Sequence, residues 1–173
     1  MDPVERFAAE AARFQSWALR GIEPGERGAR GALVHLTRLY LAALGLPPAP
    51  DEDTVDRRDG EVVDEERRTV YDACARLPLD YYGEVFDPLP VPPEEPVVGS
   101  LADDIADVYR DVVSGLLEHR AGRRSQALLQ WEITFSHWGE HLTGAIRALH
   151  CWLVANPGST AAGSRRTESE PES

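Results

Sequence analysis

The chain has 173 residues, 42% of them hydrophobic, and a formal net charge of -12, which is one domain's worth with a core of its own. The acidic balance argues against non-specific nucleic-acid binding, which needs a basic footprint to displace counterions. All 18 basic residues are arginine, which excludes lysine Schiff-base chemistry and the lysine-bearing phosphate loop.

In chain order, Val4, Phe7, Ala11, Phe14, Trp17 and Ala18 recur at helical spacing and predict a first helix from Pro3 to about Arg20. Pro3 suits its first turn and Gly21 its exit. A second helix is predicted from Gly25 to Leu44, ended by Gly45-Leu46-Pro47-Pro48. Residues 51–66 hold nine acids against two arginines and read mostly as a solvated loop. A third helix is expected from near Asp64 to before Pro78, with Val70, Tyr71, Cys74 and Leu77 facing inward. The short aromatic segment 81–86 follows. Five prolines (Pro88, Pro90, Pro92, Pro93 and Pro96) then make a stiff, extended crossover that is expected to wrap along the bundle surface.

The fourth helix has a strong start signal. Ser100 is a natural N-cap, Asp103 is placed to complete a capping box, and Leu101, Ile105, Val108, Val112 and Leu116 mark a buried stripe. A fifth helix is predicted without a break from about Arg124 to Val154. Leu128, Trp131, Phe135, Trp138, Leu142, Ala145, Leu149 and Trp152 form its apolar stripe, which makes it the central or longest helix. Residues 156–173 cannot bury a core and are expected to be a disordered tail. No strand-like alternation stands out. The pattern predicts an all-α, mostly antiparallel bundle of about five helices, a single domain over residues 1–155. No apolar run reaches membrane-span length and Met1-Asp2-Pro3-Val4-Glu5 lacks the basic and apolar regions of a secretion signal, so a cytoplasmic protein with no membrane partner is expected. Cys74 and Cys151 form no C-x-x-C unit and are expected to be reduced core residues.

Several of these segments carry a resemblance. Residues 84–88 and 96–104, Asp107-Val108-Tyr109-Arg110-Asp111, His137-Trp138-Gly139-Glu140-His141 and Arg147-Ala148-Leu149-His150 together resemble an uncharacterised bacterial family, domain of unknown function 5063. Leu39-Tyr40-Leu41-Ala42-Ala43 with Leu46-Pro47 also fits. The resemblance covers most of residues 5–152 and implies a helical domain without an assigned activity.

Chemistry-bearing residues fall on the last two predicted helices. His137-Trp138-Gly139-Glu140-His141 matches H-x-x-E-H, in which two imidazoles four apart chelate zinc and the Glu serves as base. Any third ligand must come from upstream, and Asp104, Asp107 and Asp111 are the available suppliers. Asp103-Asp104-Ile105-Ala106-Asp107 also spells D-D-x-x-D, a magnesium pattern, although acids in a first helical turn are equally accounted for by the helix dipole. If the two helices pack antiparallel, the clusters meet, either as a metal site or as a hydrogen-bonded polar layer. Tyr109, Arg110 and Arg147 are placed to orient such a layer or bind an anion, and His35 is a distant candidate for a further imidazole.

Two functions are consistent with this pattern. One is a cytoplasmic binding or protein-interaction module with a structural Asp/His cluster and an unknown protein or small-molecule partner. The alternative is a small metal-dependent hydrolase or transferase. It would hold zinc, iron, manganese or magnesium through Asp104, Asp107, Asp111, His137 and His141, with Glu140 as catalytic base.

Overall fold

The computed structural model describes residues 2–49, 61–85 and 87–158. Among them are α1 (Pro3–Arg20), α2 (Gly25–Ala43), α3 (Glu61–Cys74), α4 (Leu101–Arg120), α5 (Arg124–Ile133) and α6 (Phe135–Ala155). A two-stranded antiparallel sheet, β1 (Tyr81–Glu84) with β2 (Val97–Ser100), precedes α4. The fold is predominantly α-helical, as the periodicity predicts. The acidic stretch 51–60 and the predicted tail beyond residue 158 lie outside the described residues.

Local signals set the helix starts. The Asp2 carboxylate accepts the Val4 N–H at 2.9 Å, capping α1. The same carboxylate takes both Nη2 contacts of Arg124, at 2.8 and 2.6 Å, which tie the start of α1 to the start of α5. At α4, Ser100 Oγ accepts the Asp103 N–H at 3.4 Å, whereas the Asp103 carboxylate turns to Arg67 and does not close the predicted capping box.

Helix α4 is the hub. It packs against α1, α3, α5 and α6, while α2 packs on α1 and α6. Its predicted stripe of Leu101, Ile105, Val108, Val112 and Leu116 is buried. Each such side chain contributes roughly 1.5–3 kcal/mol on burial, well above helix-propensity differences of under about 1 kcal/mol. The stripe therefore fixes how α4 is turned about its axis, and with it where its aspartates point.

The predicted fifth helix is two helices that meet at Thr134. In a continuous helix the Trp131 carbonyl takes the N–H four residues on. Here it accepts the Trp138 indole N–H at 3.1 Å, and Thr134 Oγ1 donates to the Gln130 carbonyl at 2.7 Å. Trp131 is buried in turn, its own indole donating to the Val112 carbonyl at 2.9 Å. A Cβ on Gly115 would lie 2.2 Å from Trp131 Nε1, so only glycine lets the indole lie flush on α4. The apolar stripe is real, but the central position falls to α4.

Other expectations are corrected too. Tyr71 is exposed, with Val70, Cys74 and Leu77 buried beside it, and Cys151 is exposed on α6 and not part of the core. Trp152 is only partly buried. The prolines connect two strands, and residues 87–96 are exposed. Asp87, Pro88 and Leu89 border a groove of about 980 Å³ between β1 and α6.

Candidate functional site

Helices α4 and α6 bring the two polar clusters together. Asp104 and Asp111 are the buried charged residues of the described core, 3% and 6% exposed. Each carboxylate meets one imidazole. Asp104 Oδ1 lies 2.8 Å from His141 Nδ1, and Asp111 Oδ2 lies 2.7 Å from His137 Nδ1. The pairing runs up α4 as it runs down α6, the signature of antiparallel packing.

A carboxylate at Nδ1 holds the proton on that nitrogen and leaves Nε2 with its lone pair outward. The two Nε2 atoms face each other 3.3 Å apart, and Asp107 Oδ2 lies 3.8 Å from that of His141. Two outward lone pairs this close repel unless a proton or a cation lies between them. The hydrogen bond to Asp104 holds the His141 ring above the usual histidine range, against the opposing pull of burial. Among the described residues, Asp107, His137 and His141 form the one group whose ligand atoms all lie within 4.8 Å of one another.

The surroundings refine this group. Tyr82 Oη, from β1, donates to Asp104 Oδ2 at 2.6 Å and lies 3.3 Å from Glu84 Oε2. Burial beside two carboxylates pushes the Tyr82 phenol far up, and burial with the Asp104 charge raises the Glu84 carboxyl. A Cβ on Gly144 would come within 2.1 Å of Glu84 Oε1, so glycine there admits the hairpin against α6. From α3, Arg67 Nε donates to Asp107 Oδ1 at 2.9 Å and Nη2 to Asp103 Oδ1 at 3.1 Å. Arg110 Nε donates to Asp111 Oδ1 at 3.1 Å.

The remaining sequence candidates go elsewhere. Glu140 is exposed and, with Arg147, lines the groove beside β1. The Tyr109 hydroxyl donates to Glu66 and has Gln15 Nε2 at 3.4 Å, on the α1 and α3 side of α4. The D-D-x-x-D carboxylates diverge: Asp103 to Arg67, Asp104 to Tyr82 and His141, Asp107 between Arg67 and His141. His35 stacks on Trp17, ring centres 5.1 Å apart, and does not join the other imidazoles.

The model of the domain of unknown function DUF5063 matches residues 2–155. The chain belongs to this family. The crystal structure of protein BF1032 from Bacteroides fragilis is similar, with a TM-score of 0.63 at 22% identity, over 95% of this chain and 96% of that one. That likeness supports the fold of this DUF5063 chain. No curated protein matches it. No described helix is long and apolar enough to cross a membrane.

Arg67 and Tyr82 are the site residues that sequence reasoning misses. Both lie on elements separated from α4 and α6 by loops, and neither sits in a spacing pattern that would flag it.

Proposed function

We propose that this chain holds one divalent transition-metal ion between Asp107, His137 and His141, zinc being the best fit, and uses the remaining coordination position for hydrolytic or group-transfer chemistry on a small molecule. The observation that carries the reading is the pair of facing Nε2 atoms, 3.3 Å apart, each ring anchored through Nδ1 on a buried aspartate. Two nitrogens about 2.0–2.1 Å from a tetrahedral zinc are about 3.3 Å apart. The Asp107 oxygen lies 3.8 Å from His141 Nε2 and within 4.8 Å of the His137 ligand nitrogen, so binding would draw it in by about 0.5 Å or more. Imidazole ligands favour zinc or iron over magnesium, which prefers oxygen donors and keeps its waters.

Three protein ligands leave a position open, as catalytic and not structural zinc sites do. The His137 side chain is 46% exposed, so that position has access from solvent. A divalent cation there would supply Lewis acidity. Asp104 and Asp111 would hold the two rings in the ligating tautomer, and Tyr82 would hold Asp104. Glu140, on the groove side of α6, is not positioned by any contact to the group, and we assign the base role to no residue. The free thiols Cys74 and Cys151 accord with a cytoplasmic setting.

A second reading has its own support. Among the described residues no buried polar side-chain atom lacks a partner, which is what a purely structural polar layer in a binding module requires. Metal content decides between the two. Tag-free protein purified without chelator should carry near-stoichiometric zinc, iron or manganese, lost in an Asp107→Ala/His141→Ala double variant that retains its helical circular dichroism. A metal-free parent that takes up no added zinc would retire the metal reading.

A further inference from the structure

Two arginines contact Asp107, the carboxylate of the proposed metal site. Arg67 Nε and Nη2 both reach Asp107 Oδ1 at 2.9 Å, and Arg110 Nη1 lies 3.5 Å from the same oxygen. Two guanidinium groups from different helices thus converge on one carboxylate oxygen, while the other oxygen, Oδ2, faces His141 Nε2. A guanidinium offers five N–H donors in a fixed fork, and the contacts to Asp103, Asp107 and Asp111 leave donors over on each. Both side chains keep solvent access, 29% exposed for Arg67 and 37% for Arg110.

Resting on that metal reading, we propose that the open position takes an oxyanion of the substrate, a phosphoryl or carboxylate group, with Arg67 and Arg110 donating to the oxygens that the metal does not bind. A planar fork beside a Lewis acid suits a group with two or more oxygens sharing negative charge, and offers a neutral amide little. The arginines thus act as substrate-positioning residues. They also offset the charge of Asp103 and Asp107, which would otherwise repel an incoming anion.

The test uses the full chain loaded with cobalt(II), whose visible absorption reports on its ligands. Inorganic phosphate and acetate are titrated separately, so that the preferred anion tells a phosphoryl from a carboxylate substrate. The expected result is a saturable spectral change with at least one anion. At saturating cobalt, Arg67→Gln and Arg110→Gln should each weaken that anion about tenfold or more. Arg67→Lys keeps the charge without the fork and should fall between parent and Arg67→Gln. Should Arg67→Gln fail to fold, Arg110→Gln carries the comparison. Bound cobalt with a spectrum indifferent to both anions, or variants that bind the anion as the parent does, would overturn the oxyanion proposal while leaving the metal site standing. A parent that takes up no cobalt would remove the metal reading itself.

Discussion

Asp104 and Asp111 each hold one oxygen against an imidazole Nδ1, at 2.8 and 2.7 Å. An amide in place of either carboxylate keeps the shape but loses the charge that favours the Nδ1 proton. Asp104→Asn and Asp111→Asn should therefore each lower zinc affinity about 10- to 100-fold at unchanged helical content, read by competition against a chromogenic chelator. Tyr82→Phe removes one hydrogen bond to Asp104 and should have a smaller effect in the same assay. The five Asp and His candidates could be read from the sequence because spacings of three and four place them on one side of adjacent helices. Arg67 and Tyr82 could not, because loops fix no register between α3, β1 and α4. The sequence treats the two cysteines alike, yet burial pushes the Cys74 thiol up to about 12 while Cys151 is exposed. Iodoacetamide at pH 8 should therefore label Cys151 quickly, and Cys74 only after unfolding. Equal labelling of both in the native protein would contradict the placement of Cys74.

At the level of elements, the join between α5 and α6 is the instructive case. The three-four repeat from Leu128 to Trp152 runs straight through Thr134, so periodicity alone predicts one helix. What interrupts it is tertiary: the Trp138 indole occupies the Trp131 carbonyl, and Trp131 itself lies flat on α4 over Gly115. Gly115→Ala puts a methyl group where the indole nitrogen already is, and should cost about 1–3 kcal/mol in urea unfolding. Trp138→Phe leaves that carbonyl without its partner and should cost a similar amount, about 1–3 kcal/mol from the unpaired carbonyl alone. A neutral Gly115→Ala would mean that Trp131 does not lie against α4 as described. The β1–β2 hairpin escaped the sequence reading because Tyr81-Tyr82-Gly83-Glu84 and Val97-Val98-Gly99-Ser100 are four residues each. Strands so short show no usable alternation.

For the molecule as a whole, the buried Cys74 and Tyr109 and the half-buried Tyr82 shape the response to alkali. Burial raises Cys74, and burial beside carboxylates raises Tyr82 and Tyr109, from ordinary values of 9.0 for the thiol and 10.0 for the phenols. Each group therefore holds its proton in the folded chain at pH values where the unfolded chain has lost it. Folding then binds protons, and stability falls as pH rises. Their contribution is complete below about pH 9 and is lost progressively above it, toward the folded values. Thermal midpoints should show no loss from these groups between pH 7 and 9 and should decline from pH 9 to 11. The all-α class was legible because helical stripes with clear breaks fill most of the chain. How α4 comes to lie at the centre was not, because that depends on which stripes face each other.

The hairpin has one more consequence. The exposed residues 87–96 divide the chain into α1, α2, α3 and β1 on one side and β2, α4, α5 and α6 on the other. The halves share one core, through α1 and α3 on α4, α2 on α6, and strand on strand. Asp107, His137 and His141 all belong to the second half, while Arg67 and Tyr82 belong to the first. A single backbone cut between Pro88 and Pro96 would thus make this a split protein. Its two fragments would have to reassemble before the arginine and the tyrosine could meet the histidine pair, and reconstitution of the site would report their reunion.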